Sequence, residues 1–202
     1  MLAEPECRQI LRRVPLVAVS GPFHRLAECS FVYDQLVAGK RPGILAGLGA
    51  RSVGGRFTPP HHFETLYVAT TAGTAQIEAW YPMVGSGVVA PLRPSKPYIH
   101  LGIDGQLQRV LDLTDPPVMA LLELTVNEIH APWRLLQAEG REAPTQTLGR
   151  LVHDDGHIEA ILFTSSKDIP DGRCLAIFPD RLESPSWLEI SDETGRLRER
   201  LP

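Results

Sequence analysis

The stretch Gly49-Ala-Arg-Ser-Val-Gly-Gly-Arg-Phe-Thr-Pro-Pro60 concentrates the chemistry of this chain. It carries Arg51 and Arg56 among glycines and prolines that read as a loop and not as a helix. Gly54 and Gly55 admit positive φ and let the backbone approach a ligand with no Cβ between them. Pro59 and Pro60 stiffen the exit. Downstream lie Tyr67, in the expected strand Leu66-Tyr-Val-Ala-Thr70, and Glu78, on an expected helix ending at Trp80. Guanidinium forks bind anions in bidentate fashion. With a tyrosine and a carboxylate on the next regular elements, the set suits an anionic ligand that also needs acid chemistry. Singly, each residue has a plainer reading: solvated loop arginines, a core tyrosine, a carboxylate on a helix surface.

These residues need elements to hold them. The apolar run Val14 to Ser20, followed by Pro22 to Leu26, predicts a strand bearing Arg25. Ser30 to Ala38 reads as a short helix or loop. Lys40 to His62 reads as one long loop, a length that is usually functional inside a compact domain. Thr71 is the expected N-cap of a helix over Ala72 to Trp80. Pro82 to Pro97 reads as a second flexible stretch, and Tyr98 to Leu113 as two strands around a turn at Asp104-Gly105. Asp115-Pro-Pro117 predicts a helix start leading into Val118 to Leu124, and helical periodicity recurs over Pro132 to Ala138 and Thr145 to Val152. Ile158 to Phe163, Cys174 to Phe178 and Trp187 to Ile190 read as strands, and the charged tail after Asp192 is expected to fray. Strands at both ends with helices between predict an α+β domain with a mixed central sheet and surrounding helices. A single domain over residues 1–202, its core about 14–190, is expected from the length.

Composition excludes several classes. A net charge of -4 argues against a general nucleic-acid binder, so the arginines point to a small anion. Cys7, Cys29 and Cys174 form no CxxC pair, so neither a zinc site nor a disulfide framework is expected. His61-His62 and His153-Asp-Asp-Gly-His157 are ligand types without ligand spacing, and no metal is expected. Without a signal peptide or an apolar run long enough to span a bilayer, the expected compartment is the cytoplasm, with no membrane partner.

Arg25, the GARSVGGRFTPP segment, Tyr67, Glu78, Gln146-Thr-Leu-Gly149 and Phe163-Thr-Ser-Ser166 occur in an order that resembles the RES-domain family, from about Pro22 to Leu182. The resemblance implies an ADP-ribosyltransferase-like fold and NAD as substrate. It implies catalytic roles for Arg25, Glu78 and Ser165, with Ser166 adjacent, and NAD contacts from Arg25, Arg51, Arg56, Phe57 and Tyr67. Arg51 could instead brace the loop. In such a site the arginines hold phosphates and Glu78 stabilises oxocarbenium charge on the ribose. Tyr67 offers a ring to the nicotinamide and a hydroxyl to the ribose. Phe57, Thr58 and His61 stand where the family commonly has Trp, Asn and Gly. The implied activity is cleavage of the nicotinamide–ribose bond by water or phosphate, in a toxin that depletes NAD. ADP-ribosyl transfer to a protein and a non-catalytic NAD-binding module are the alternatives. The implied partner is an Xre-type antitoxin that blocks the NAD pocket, and the resemblance leaves a homodimer open.

Overall fold

The computed structural model describes residues 1–30, 32, 43–80, 83–84, 87–88, 96–191 and 198–202. Most of the expected helix or loop over Ser30–Ala38, the start of the Lys40–His62 loop, much of Pro82–Pro97 and the start of the charged tail lie outside them.

Helix α1 (Glu4–Leu11) leads into strands β1 (Val17–Ser20) and β2 (Phe23–Glu28). Helix α2 (Leu48–Val53), strand β3 (Leu66–Ala69) and helix α3 (Ala72–Trp80) follow, then a small two-stranded pair, β4 (Met83–Val84) and β5 (Gly87–Val88). The long strand β6 (Tyr98–Asp112) precedes four helices: α4 (Pro116–Leu121), α5 (Val126–Ile129), α6 (Trp133–Ala138) and α7 (Pro144–Asp155). Strands β7 (Ala160–Thr164), β8 (Arg173–Ile177), β9 (Trp187–Ser191) and β10 (Arg198–Leu201) complete the order.

The main sheet runs β10-β9-β6-β2-β3-β8-β7, and β7 returns to pair in parallel with the end of β6. Strands β6, β2, β3, β8 and β7 therefore close a ring. Side chains alternate across it as the pleat requires. Leu66, Val68, Leu175, Ile177, Leu101 and Ile103 belong to one buried cluster. Tyr67, Ala69, Cys174, Ala176, Ile161 and Phe163 belong to another, shared with α1, α4 and α7. The expected α+β class with a mixed sheet and surrounding helices is the observed one.

Three elements differ from expectation. Residues 48–53 are a helix because the strained glycines sit at its ends: Gly47 at φ 71° precedes it and Gly54 at φ 81° closes it. Glycine readily takes such positive φ angles, which other residues rarely adopt. The hairpin expected at Asp104-Gly105 is a continuous strand. β6 changes partners along its length, from β2 through β9 and β1 to β7, so its backbone groups stay paired without a turn. Gly105 admits β9, since a Cβ there would stand 2.8 Å from the Trp187 carbonyl oxygen. The described end of the tail, residues 198–202, is ordered by pairing. β10 pairs with β9, and Arg198 and Arg200 hold Glu189 at 3.2 and 2.8 Å. In addition, Cys7 and Leu11 of α1 are fully buried, so the core extends to the N-terminal side of Val14. Among the described residues no helix is long and apolar enough to cross a membrane.

Candidate active site

A cleft of about 650 Å³ opens between β2, β3, α2, α3 and α6, a volume in the range of small-ligand sites. Arg25, Arg56, Tyr67 and Glu78 all line it. So do residues that the sequence did not single out, above all Arg134 and Lys167.

Glu78 is carried by α3, whose start is fixed as expected: the Thr71 hydroxyl accepts from the Thr74 N–H at 3.0 Å. The carboxylate is held from the opposite wall. Ser165 Oγ donates to Glu78 Oε1 at 2.5 Å while accepting the N–H groups of Lys167 and Asp168 at 3.1 and 2.9 Å. Ser165 is fully buried, so its hydroxyl positions the carboxylate and presents no surface of its own. Lys167 Nζ donates to the Glu78 carbonyl at 2.5 Å and stands 3.7 Å from Glu78 Oε2. Burial lowers the Lys167 pKa and the Glu78 charge opposes that shift.

Arg56 is clamped. Its Nη1 donates to the carbonyls of Ile129 and Ala131, and its Nη2 to Ser166 Oγ at 2.9 Å. Ser166, the neighbour of the positioning serine, thus has its own task. Burial lowers the Arg56 pKa, and Glu78 again opposes. Arg25 projects from β2 with Nη1 3.4 Å from the Ile44 carbonyl, and burial alone lowers it. The Glu78 charge therefore reaches Arg56 and Lys167, and Arg25 lines the same cleft from β2.

Tyr67 is tied into the Gly-rich segment. Its hydroxyl accepts from the Phe57 N–H at 2.8 Å and meets Thr58 Oγ1 at 2.9 Å. Thr58 Oγ1 donates onward to Thr65 at 2.8 Å, which leaves the Tyr67 proton directed at Thr58. The proton of this hydroxyl is thus engaged within the Gly-rich segment. Burial pushes the phenol up to about 12. Gly55 makes room for it, since a Cβ there would stand 2.6 Å from Tyr67 Oη.

Two expectations are corrected. Phe57 is fully buried, its ring 4.8 Å from that of Phe163, and it packs in the core behind the cleft instead of facing a ligand. Arg51 lies on the outer side of α2, its side chain 55% exposed and 3.5 Å from Glu64, off the cleft lining. Its alternative reading as a brace fits. The Gln146-to-Gly149 motif serves the same segment from α7. Gln146 Nε2 donates to the carbonyls of Gly55 and Thr58 at 3.1 and 3.4 Å, and Gly149 lies so close to the Phe57 carbonyl that no Cβ fits.

None of His61, His62, His153 and His157 lines the cleft. His61 is exposed with φ 66°, and His153 stacks on Phe63 and meets Asp180 at 2.9 Å. Among the described residues no group of three or more His, Cys, Asp and Glu could hold a metal.

A mixed sheet closed on itself, with a cationic cleft of small-ligand size around one fixed carboxylate, defines an α+β protein with a candidate anion site. The RES domain model matches residues 25–197, and the chain belongs to that family. Over 106 residues it is 31% identical to the NAD(+) phosphorylase MbcT of Mycobacterium bovis and of Mycobacterium tuberculosis. That match covers 52% of this chain and 57% of the relatives' length. A chain in the crystal structure of the M. tuberculosis MbcT–MbcA toxin–antitoxin complex is 18% identical, with a TM-score of 0.63 over 93% of this chain and 90% of that one. At that identity the likeness speaks to the fold.

Proposed function

We propose that this chain cleaves the nicotinamide–ribose bond of NAD and transfers the ADP-ribosyl group to inorganic phosphate. The observation that carries the reading is Glu78, fixed by Ser165 in a cleft whose other charged walls are Arg25, Arg56, Arg134 and Lys167. Membership of the RES family and the name carried by the MbcT relatives support it. Loss of nicotinamide builds positive charge on the ribose, and a preorganised carboxylate stabilises that charge most where water is excluded. Arg25 holds the diphosphate. Tyr67 packs its ring along the bound dinucleotide while its hydroxyl keeps the Gly-rich segment in place.

A protein that consumes NAD needs restraint in its host. We extend the reading to a partner antitoxin that covers the cleft, on the likeness to the MbcT–MbcA complex. The cytoplasm, where NAD is plentiful, is the compartment this reading requires.

The purified chain mixed with NAD and phosphate is expected to release nicotinamide in step with NAD loss, with the sugar recovered as phosphorylated ADP-ribose. Recovery of all NAD intact would defeat the reading. So would ADP-ribose appearing only on protein.

A further inference from the structure

The cleft holds more positive charge than a diphosphate and Glu78 together neutralise. Its four cations divide into two groups. Arg25 stands against the Ile44 carbonyl at 3.4 Å. The other three are coupled to one another, and two of them, Arg56 and Lys167, to Glu78. Lys167 Nζ lies 3.7 Å from Glu78 Oε2, Arg56 Nη2 bonds the Ser166 hydroxyl at 2.9 Å, and the Arg134 guanidinium lies 4.5 Å over the Trp133 ring. Among the described residues neither Arg56 nor Arg134 forms an ion pair with a carboxylate. Besides burial, the Arg134 charge lowers both Arg56 and Lys167, so the three feel one another. Like charges held together with one carboxylate between them favour a bound anion.

We infer that Lys167 and Arg134, backed by Arg56, form the subsite for the acceptor phosphate, separate from the place of the NAD diphosphate. This rests on the phosphorolysis reading above. The diphosphate hangs from the exocyclic carbon at the far end of the ribose, whereas the nucleophile must reach the anomeric carbon beside Glu78. An anion on Lys167 is adjacent to that carboxylate, and the ammonium between them offsets their repulsion. In the step itself an ionised phosphate oxygen bonds to the anomeric carbon as the bond from that carbon to the nicotinamide nitrogen breaks. The electron pair of the broken bond goes to the ring nitrogen and nicotinamide leaves neutral. Because the attacking oxygen is already ionised, no proton acceptor is required.

The test uses initial rates against inorganic phosphate, together with the ratio of phosphorylated to plain ADP-ribose, for wild type, Lys167→Met and Arg134→Gln. The exposed Arg134 is not part of the packing that holds Glu78, so its variant stays informative if Lys167→Met folds poorly. Each variant is expected to raise the KM for phosphate about ten-fold, the scale of one charged contact, and to shift the product toward plain ADP-ribose. The KM for NAD is expected to move less. If wild type turns NAD over at a rate independent of phosphate, or if the variants raise only the KM for NAD, the subsite is overturned while NAD cleavage stands. Phosphate titrated calorimetrically into the three proteins without NAD separates the remaining case. Phosphate binding to wild type that both variants weaken, alongside rate assays in which NAD yields no nicotinamide, would uphold the subsite and sink the reaction.

Discussion

At the scale of single residues, the site consists of groups already held in place. Ser165 illustrates the difference between touching a substrate and aiming a group that does. Its Oγ spends its proton on Glu78 and its lone pairs on the Lys167 and Asp168 N–H groups. Ser165→Ala is therefore expected to lower kcat about ten-fold with little change in the KM for NAD, since a hydrogen bond to a charged group is worth about 1.5–3 kcal/mol. A rise in KM with kcat intact would place the serine on the substrate instead. Tyr67 has a second signature. Its phenol is raised by burial from 10.0 to about 12, so the unfolded chain loses this proton first as pH rises. The stability this supplies is complete below pH 10.0 and is lost toward about pH 12. In denaturant titrations across that window, Tyr67→Phe should show a shallower loss than wild type. At neutral pH it should be less stable by about 1–3 kcal/mol, because the Phe57 N–H loses its partner. Equal alkaline slopes would remove Tyr67 as the cause. The order of residues made Arg25, Arg56, Tyr67 and Glu78 legible. Lys167 and Arg134 were not legible, because neither lies at a telling spacing and only the fold brings them into the cleft that Glu78 lines.

At the scale of elements, local signals succeeded where a cap or an alternation stated its own geometry. Thr71 announced α3, and the apolar run Leu66 to Thr70 announced β3. They failed where tertiary partners decided. α2 hides in a Gly-rich motif because its strained glycines flank it, and β6 runs through Asp104-Gly105 because β9 and β1 take over its pairing. The charged tail gave no strand signal, yet β10 has a structural task. Glu199 accepts the Ile44 N–H at 2.6 Å and the Leu45 N–H at 3.3 Å, and Ile44 offers its carbonyl to Arg25. Glu199→Ala should thus cost about 1–3 kcal/mol of stability for the unpaired donors. It should also raise the KM for NAD more than it lowers kcat, because it loosens the support of Arg25, the residue proposed to hold the diphosphate. Thermal unfolding and steady-state kinetics check both, and an unchanged KM would detach β10 from the site.

At the scale of the whole molecule, the closed ring of strands and the helices around it bring together residues far apart in sequence. Arg25 comes from β2, Arg56 from the segment after α2, Glu78 from α3, Arg134 from α6, and the Ser165–Lys167 turn from beyond β7. Such convergence follows from topology, which the sequence reading reached through the order of its motifs and not through its contacts. On the proposed reading, Glu78 is the group that makes this cleft cleave NAD and not merely bind it. The most direct test follows nicotinamide release and NAD binding together in wild type and Glu78→Gln, with circular dichroism confirming the fold. The account predicts steady release by wild type and a loss of at least about 100-fold in Glu78→Gln, with NAD still bound by the variant. Nicotinamide released by Glu78→Gln at the wild-type rate would contradict it.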